Sequence, residues 1–257
     1  MKIRQVGSST GVLDGRQHLT TFLINDCVAV DAGCLGWLSP VSLQKQVRHV
    51  FLSHCHIDHI ASLPVFLDNV YSSGVECPQV YANEHTLECL QSDIFNERVW
   101  PDLIRLSVEE NPFLQLHALE DEVTVKVAGL KITPIRVNHV VPTYGFLIED
   151  EATAVLIVSD TGPTERIWEV ANATPRLGAI FLECSFPDST ESLASRTRHL
   201  SPRSFLREVR KYKGTAQIIA VHIKAAHYET VTRELQQLNL PHFRIGGNDF
   251  EITLPEN

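Results

Sequence analysis

One short stretch, HCHIDH at residues 54–59, constrains this chain more than any other part of its sequence. Four side chains that can bind a metal lie within six residues, directly after the strand-like apolar run HVFL. In an extended turn His54 and His56 can face the same side, while Asp58 and His59 turn toward a neighbouring point. The alternative is a polar turn without function, but crowding such groups without a bound partner is energetically costly. The stretch therefore predicts a metal site at the end of a strand.

Three later residues have the same placement, each at the end of an apolar run. His139 ends KITPIRVNH, Asp160 ends AVLIVSD, and His222 closes the strand within AQIIAVHIK. Proteins of the α/β class place functional groups at the carboxyl ends of their strands. Taken singly, His139 has the alternative of a surface turn and Asp160 that of a cap for the helix TERIWEV. Together with residues 54–59 they supply seven ligands, enough for two metal ions that share one carboxylate. Imidazole and carboxylate suit zinc, iron or manganese.

The order of apolar runs predicts an α/β fold. Short runs rich in Val, Ile and Thr that end on Gly or Asp are typical of strands. Amphipathic runs with their charges on one face predict helices. Two similar halves, each with strands on one side of a helix layer, indicate an αββα sandwich. Because no linker or repeat interrupts the chain, residues 1–257 are expected to form a single domain.

Local signals predict several element boundaries. Gly129 lies between two alternating runs and predicts a hairpin. Asn83 is the expected N-cap of the helix NEHTLECLQSDIF, and IASLPVFLDNVYSSG is expected to be helical until about Gly74. Residues 98–121 contain two prolines and a Trp, and they are expected to be irregular and to form a lid or substrate loop.

Charge and composition limit the partners. With 22 basic and 31 acidic residues, the net charge of -9 argues against a long nucleic acid as partner. The apolar runs are too short for a membrane span, and the start has no apolar stretch of signal-peptide length. Six cysteines without any CxxC pair indicate reduced thiols. These features predict a cytoplasmic protein without a membrane partner, and they leave a homodimer open.

The residues carry a resemblance to a known group. HCHIDH matches the HxHxDH signature of the metallo-β-lactamase superfamily, and the later His, Asp and His follow in the same order. More narrowly, the chain resembles the class II cyclic-nucleotide phosphodiesterases nearly end to end. The similar stretches are VGSSTG at 6–11, TFLINDCVAVDAG at 21–33, FLSHCHIDHIASLP at 51–64, VWPDL at 99–103, YGFLIED at 144–150, SDTGP at 159–163, FLECSF at 181–186, HLSP at 199–202 and VHIK at 221–224. Ile57 departs from the family, which usually has Leu there, and this conservative change leaves metal binding intact.

The resemblance implies two divalent metal ions, zinc or alternatively manganese or iron. One ion would be held by His54, His56 and His139, the other by Asp58, His59 and His222, and Asp160 would bridge them. Two metals about 3.5–4 Å apart can share a hydroxide that attacks phosphorus and can clamp the oxygens of the displacement. The implied activity is hydrolysis of 3′,5′-cyclic nucleotides, cAMP or cGMP, to 5′-monophosphates (EC 3.1.4 type).

The leaving oxygen then needs a proton. In tRNase Z, a relative in the superfamily, a Glu and a His act as a proton-donating pair, and Glu183 of LECSF and His199 of HLSP fall at those positions. A carboxylate beside a histidine keeps it protonated, which suits a general acid. The alternative for His199 is a position before the helix that Ser201 would cap. Asp58 joins the pair as a catalytic candidate. Asp31 is expected to orient a ligand histidine or to cap a turn.

Base recognition is less specific in the sequence. Trp100, Phe113 and Tyr144 are candidates for stacking on a base, or else pack the core. Lys224 would contact a phosphate or remain solvated. The competing functions are a tRNase Z-like nuclease, which predicts a basic Gly/Pro-rich arm that this sequence lacks, other hydrolases such as a β-lactamase or thioester hydrolase, and a di-iron sensor that binds a small ligand without turnover.

Overall fold

In the computed structural model, which describes residues 1–8, 16–72, 76–109 and 112–255, two seven-stranded sheets face each other. The strands are β1 (Lys2–Gln5), β2 (Phe22–Ile24), β3 (Val28–Val30), β4 (His49–Phe51), β5 (Gln79–Ala82), β6 (Gln115–Ala118), β7 (Val125–Val127), β8 (Leu130–Arg136), β9 (Tyr144–Glu149), β10 (Ala154–Ile157), β11 (Leu177–Glu183), β12 (Gln217–Val221), β13 (Phe243–Ile245) and β14 (Glu251–Thr253). The first sheet has the order β14-β1-β2-β3-β4-β5-β6 and the second the order β13-β12-β11-β10-β9-β8-β7.

Helices lie along both halves of the chain. The α-helices are α1 (Val41–Gln44), α2 (Ile57–Ile60), α3 (Leu63–Val70), α4 (Glu84–Cys89), α5 (Leu103–Glu109), α6 (Arg166–Ala173), α7 (Glu191–Thr197), α8 (Pro202–Val209) and α9 (Tyr228–Gln236). A π-helical turn, Leu90–Ile94, continues α4, and single 3-10 turns lie at Leu35–Trp37, Asp188–Thr190 and Ala225–His227.

Three apolar layers hold these elements together. Between the sheets, Phe22 of the first sheet meets Phe181 of the second edge-to-face, with ring centroids 5.3 Å apart. On the outer face of the second sheet, Trp168 of α6 and Phe205 of α8 are buried, and on the outer face of the first sheet Phe66 of α3 is buried. Helix, sheet, sheet and helix layers therefore follow one another, which confirms the predicted αββα sandwich.

Strand direction decides where functional side chains meet. In the first sheet, β3 and β4 run parallel. In the second sheet, β10, β11 and β12 run parallel, while β8 and β10 are both antiparallel to β9 and so share one direction. The carboxyl ends of β8, β10, β11 and β12 consequently lie at one edge of the second sheet.

Several local predictions are confirmed. The hairpin between β7 and β8 turns at Ala128 and Gly129, which both have positive φ, as a tight two-residue turn requires. The Asn83 side chain accepts a hydrogen bond from the Thr86 amide at 2.9 Å and caps α4. The predicted helix after residue 59 is broken between α2 and α3, and α3 ends at Val70. Its expected end near Gly74, like residues 9–11 of VGSSTG, lies outside the described residues.

Residues 98–121 are more regular than expected. They contain helix α5 and the edge strand β6, so the prediction of an irregular connection is wrong over those elements. Pro101 and Pro112 stand close to the two ends of α5, and β6 is short and half exposed. Neither element therefore shows a clear helix or strand pattern in the sequence. Leu103 and Leu114 are buried in the core under the first sheet. A role as lid or substrate loop stays a prediction. None of the described helices has the length and apolar character that a membrane span requires.

Candidate metal centre

Three strand ends, one in the first sheet and two in the second, turn sharply through left-handed residues. Asp31 follows β3, Ser159 lies between β10 and Asp160, and His222 follows β12. All three have φ values between 55° and 61°. Such values are uncommon outside glycine and concentrate at functional sites, where the surrounding structure holds the strain. The turns place Asp31, Asp160 and His222 at the edge rather than in a continued strand.

Backbone hydrogen bonds hold residues 58 and 59, in helix α2, against the segments that follow β3 and precede β2. The Ala32 amide donates to the His59 carbonyl at 2.7 Å, and the Thr20 amide donates to the Asp58 carbonyl at 2.8 Å. Gly33 lies so close that a Cβ there would come within 2.1 Å of the Asp58 carbonyl oxygen. Glycine is therefore required at this position, because any side chain would push the loop away.

A first group of ligand atoms comes from His54, His56, His139 and Asp160, all within 4.8 Å of one another. His54 Nε2 lies 3.8 Å and His139 Nε2 lies 4.0 Å from Asp160 Oδ2. His56 Nδ1 lies 3.3 Å from His139 Nε2. His139 is buried, so its alternative as a surface turn is wrong. Asp160 precedes α6 by several residues and caps no helix, so its alternative is wrong as well.

A second group joins Asp58, His59 and His222. His222 Nε2 lies 3.2 Å from Asp58 Oδ2 and 3.5 Å from Asp160 Oδ1. His59 Nε2 lies 3.4 Å from Asp160 Oδ2. Asp160 thus faces both groups, and all seven residues that the sequence singled out converge on one point between the sheets. His199 also comes within 4.8 Å of Asp160 and His222.

Orphaned polar atoms show that these residues fit metal ions. His54 Nε2, His59 Nε2 and Asp160 Oδ1 are buried and have no hydrogen-bond partner within the described residues. Each unsatisfied buried group costs about 1–3 kcal/mol. A divalent cation accepts imidazole lone pairs and a carboxylate oxygen together, and would therefore satisfy all three atoms at once. The donor set is therefore suited to divalent metal ions.

Asp31 and Ser53 orient the histidines on the first-sheet side. His59 Nδ1 lies 2.7 Å from Asp31 Oδ2, and the Ser53 hydroxyl donates to the same oxygen at 2.9 Å. Ser53 Oγ also lies 2.9 Å from His54 Nδ1. With both Nδ1 atoms engaged, the Nε2 atoms are left for a ligand role. Burial lowers the pKa of His59, but the carboxylates of Asp160 and Asp31 outweigh it and raise that pKa well above its usual value.

Glu183 and Ser185 form a similar network on the second-sheet side. His199 Nδ1 lies 2.7 Å from Glu183 Oε1, and the Ser185 hydroxyl donates to Glu183 Oε2 at 2.9 Å. Ser185 Oγ lies 3.0 Å from His222 Nδ1. Burial lowers the pKa of His199, but the Glu183 carboxylate outweighs it and raises that pKa. Ser201 is the N-cap of helix α8, as the alternative for His199 expected, and His199 is paired with Glu183 as well.

Asp58 is held in its ionised form. Burial raises the pKa of Asp58, but the hydrogen bond to His222 and the charges of His59 and Lys224 outweigh burial and lower that pKa. Lys224 Nζ lies 3.3 Å from Asp58 Oδ2, so the interpretation of Lys224 as a merely solvated side chain is wrong. Asp58, His222 and Lys224 also line a small cavity of about 170 Å³ beside the centre.

Sequence reasoning missed three supporting residues. Ser53 and Ser185 stand within two positions of predicted site residues, and their place at strand ends was the available signal. Arg198 accepts a hydrogen bond from His139 Nδ1 through its carbonyl at 3.0 Å. No side-chain pattern reveals such a backbone contact.

The candidate base-stacking residues differ in their surroundings. Phe113 stacks on Tyr71 with centroids 4.1 Å apart, and Trp100 packs against the core under the first sheet. For these two, the core-packing alternative has direct support. Tyr144 packs against the layer between the sheets and also lines an open cavity.

A family model described as class-II cAMP phosphodiesterases matches residues 38–239, most of the chain. This chain belongs to the class-II cAMP phosphodiesterase family. A "3′,5′-cyclic-nucleotide phosphodiesterase 1" of Saccharomyces cerevisiae is 25% identical over 213 residues, which cover 70% of this chain and 57% of the relative. A "probable 3′,5′-cyclic-nucleotide phosphodiesterase" of Yersinia pestis is 22% identical over 252 residues, covering 84% and 69%. The chain thus spans little more than half the length of the yeast relative.

Solved structures show the fold. Unliganded yeast PDE1 matches with a TM-score of 0.77 at 19% identity, covering 95% of this chain and 96% of that one. The metallo-β-lactamase fold protein YhfI from Bacillus subtilis matches with a TM-score of 0.75 at 15% identity, covering 98% of each chain. Human tRNase Z, short form, matches with a TM-score of 0.69 at 11% identity and full coverage of both. The αββα sandwich is therefore the metallo-β-lactamase fold.

Proposed function

We propose that this protein is a hydrolase that converts 3′,5′-cyclic nucleotides, cAMP or cGMP, to 5′-monophosphates with the help of two divalent metal ions. The observation that carries the proposal is the convergence of two ligand groups on a shared Asp160, beside the paired Glu183 and His199. Family membership and the names of the yeast and Yersinia relatives support a cyclic nucleotide as the substrate.

In the proposed assignment, His54, His56 and His139 hold one ion, Asp58, His59 and His222 hold the other, and Asp160 bridges them. Bound zinc ions would activate water at neutral pH and stabilise negative charge on the phosphate oxygens. Asp31 and Ser53 fix the rings of His59 and His54 before substrate binds, so this orientation is established in advance.

His199 is the proposed proton donor to the leaving 3′-oxygen. Glu183 holds its Nδ1 at 2.7 Å and favours the protonated ring, which a general acid requires. His199 keeps a small exposed fraction of 8%, so the ring can be reached from the side of the substrate. Asp58, ionised and next to Lys224, is the proposed acceptor of a proton from the attacking water.

A tRNase Z-like nuclease is the second candidate, since a ribonuclease Z of Metallosphaera sedula is 24% identical over 162 residues. The net charge of -9 makes a long RNA an unfavourable partner for this chain. A di-iron sensor without turnover would use the same ligands. Zinc as the native metal, a homodimer and a cytoplasmic location stay predictions.

The decisive experiment is a turnover assay with cAMP and cGMP on metal-analysed protein, beside bis-p-nitrophenyl phosphate as a generic diester. We expect chelator-sensitive hydrolysis of a cyclic nucleotide, restored by adding zinc, and none in Asp160→Ala. Hydrolysis of the generic diester alone would redirect the search to other phosphodiesters. No hydrolysis of either compound by protein with full metal content would favour the sensor.

A further inference from the structure

A separate cluster of side chains that can bind a metal lies next to the centre and shares no residue with it. Cys55, His85 and Cys89 bring two thiols and an imidazole within 4.8 Å of one another. All three are half-buried, which removes them from bulk solvent but leaves an approach for an ion. Thiols are softer ligands than the imidazole and carboxylate set of the centre, and thiolate together with imidazole is a donor set that zinc accepts.

Two elements bring this group together. His85 and Cys89 are four residues apart on α4, so they lie on one face of the helix. Cys55 lies between His54 and His56 in the extended loop, where successive side chains point to opposite sides. The two histidines face Asp160, and the Cys55 thiol consequently faces α4. Asn83, the cap of α4, donates through its amide to the Pro142 carbonyl at 3.0 Å and helps to hold the start of this helix in place.

The spacing fits a bound ion without a large movement. A tetrahedral zinc has bonds of about 2.3 Å to sulfur and about 2.0–2.1 Å to nitrogen, which sets the two ligand atoms about 3.6 Å apart. Cys89 Sγ and His85 Nε2 are 3.8 Å apart. Three protein ligands leave a fourth position for water, as in open zinc sites.

We propose that Cys55, His85 and Cys89 form a separate site for a thiophilic divalent cation, Zn²⁺. An ion bound there releases the thiol protons and joins α4 to the loop that carries His54 and His56. The site lies outside the proposed catalytic machinery, so it can be occupied whether or not the centre is loaded.

Cobalt is the probe, because sulfur-to-cobalt charge transfer absorbs in the near ultraviolet and the centre contains no cysteine. The full chain, kept reduced and stripped of metal, is titrated with Co²⁺. We expect the charge-transfer band in the unaltered protein and in Asp160→Ala, its loss in Cys89→Ser, and its retention in the control Cys77→Ser, whose thiol lies outside the group. Added Zn²⁺ should remove the band. His85→Ala should shift the titration to higher cobalt concentration.

Absence of the band in the unaltered protein would overturn the site, and so would a band that survives Cys89→Ser. Loss of the band in Asp160→Ala would show that the thiols have no independent site. A titration unchanged by His85→Ala would remove His85 from the ligands and overturn the three-residue assignment. Asp160→Ala is expected to lose the metals of the centre. A cobalt band in this variant therefore supports the thiol site independently of whether the proposed activity is correct.

Discussion

On the first-sheet side of the centre, Asp31 and Ser53 support His59 and His54, and on the second-sheet side Glu183 and Ser185 support His199 and His222. Both sides therefore combine a carboxylate at a strand end, a serine and two histidines. They differ in what the carboxylate holds. Asp31 holds His59, a proposed metal ligand that is fully buried, whereas Glu183 holds His199, which keeps some exposure.

The difference indicates how one arrangement can serve two purposes. A carboxylate behind a buried ring fixes a ligand, and a carboxylate behind a partly exposed ring keeps a proton available. On the second-sheet side the proposed ligand His222 contacts the Ser185 hydroxyl through its Nδ1, while its Nε2 faces the carboxylates of Asp58 and Asp160. The predictions below test this division of roles.

Asp160→Ala should have the largest effect, because Asp160 faces both ligand groups. We expect both metals to be lost and turnover to fall to background, whereas His56→Ala should empty one position only. Metal analysis with a turnover assay checks this, and Glu151→Ala, an exposed acidic residue, is the control. Full activity with intact metal content in either variant would show that the ligand assignment is wrong.

His199→Ala should keep both metals and slow hydrolysis of a cyclic nucleotide by ~10²–10⁴-fold, the usual contribution of a general acid. Hydrolysis of bis-p-nitrophenyl phosphate should fall much less, because its leaving group departs without a proton. If the metals are lost, His199 is instead a ligand, in agreement with its closeness to Asp160 and His222. Equal losses on both substrates would argue for a structural role.

Asp31→Asn should lower metal affinity by about 10–100-fold, the usual cost of losing the partner behind a ligand histidine. The matched change Glu183→Gln should leave metal affinity nearly unchanged and act on kcat. Competition with a fluorescent chelator measures the affinities, and steady-state kinetics measure kcat. If Asp31→Asn instead changes kcat and Glu183→Gln instead lowers metal affinity, the proposed difference between the two sides is wrong.

The two serines should give the smallest and most similar effects. Ser53→Ala and Ser185→Ala each remove a buried hydroxyl with several hydrogen bonds, so the free energy of unfolding should fall by about 0.5–1.5 kcal/mol. Urea denaturation of metal-free protein checks this, with the exposed Ser195→Ala as control. A loss at one serine only would mean that the two networks are not equivalent.

The residues that converge at the centre could be selected from the sequence because they lie at the end of a recognisable strand or in the motif that directly follows one. Four of them lie within six residues at 54–59, and His139, Asp160 and His222 follow apolar strands that run in one direction in the second sheet. The place of Ser53 after β4 marks it as a neighbour of the centre, but its contact with Asp31 depends on the register of β3 against β4, which the sequence does not show.

Other features depend on tertiary contacts that one sequence does not specify. Strands β13 and β14 have three residues each and gain their stability from pairing with β12 and β1. Lys224 looked solvated because its partner Asp58 lies 166 positions away in the chain. Cys55 and Cys89 have no pairing pattern in sequence, since only the packing of α4 beside the loop brings their thiols together.

The order in which the proposed ligands occur along the chain also has a consequence for biosynthesis. Residues 54–59 leave the ribosome well before Asp160, and His222 emerges only after β10 and β11 have been made. A nascent chain that stops short of Asp160 would offer isolated histidines without the shared carboxylate. Metal acquisition would therefore be a late event, coupled to the docking of the C-terminal sheet rather than to synthesis of the histidine-rich loop.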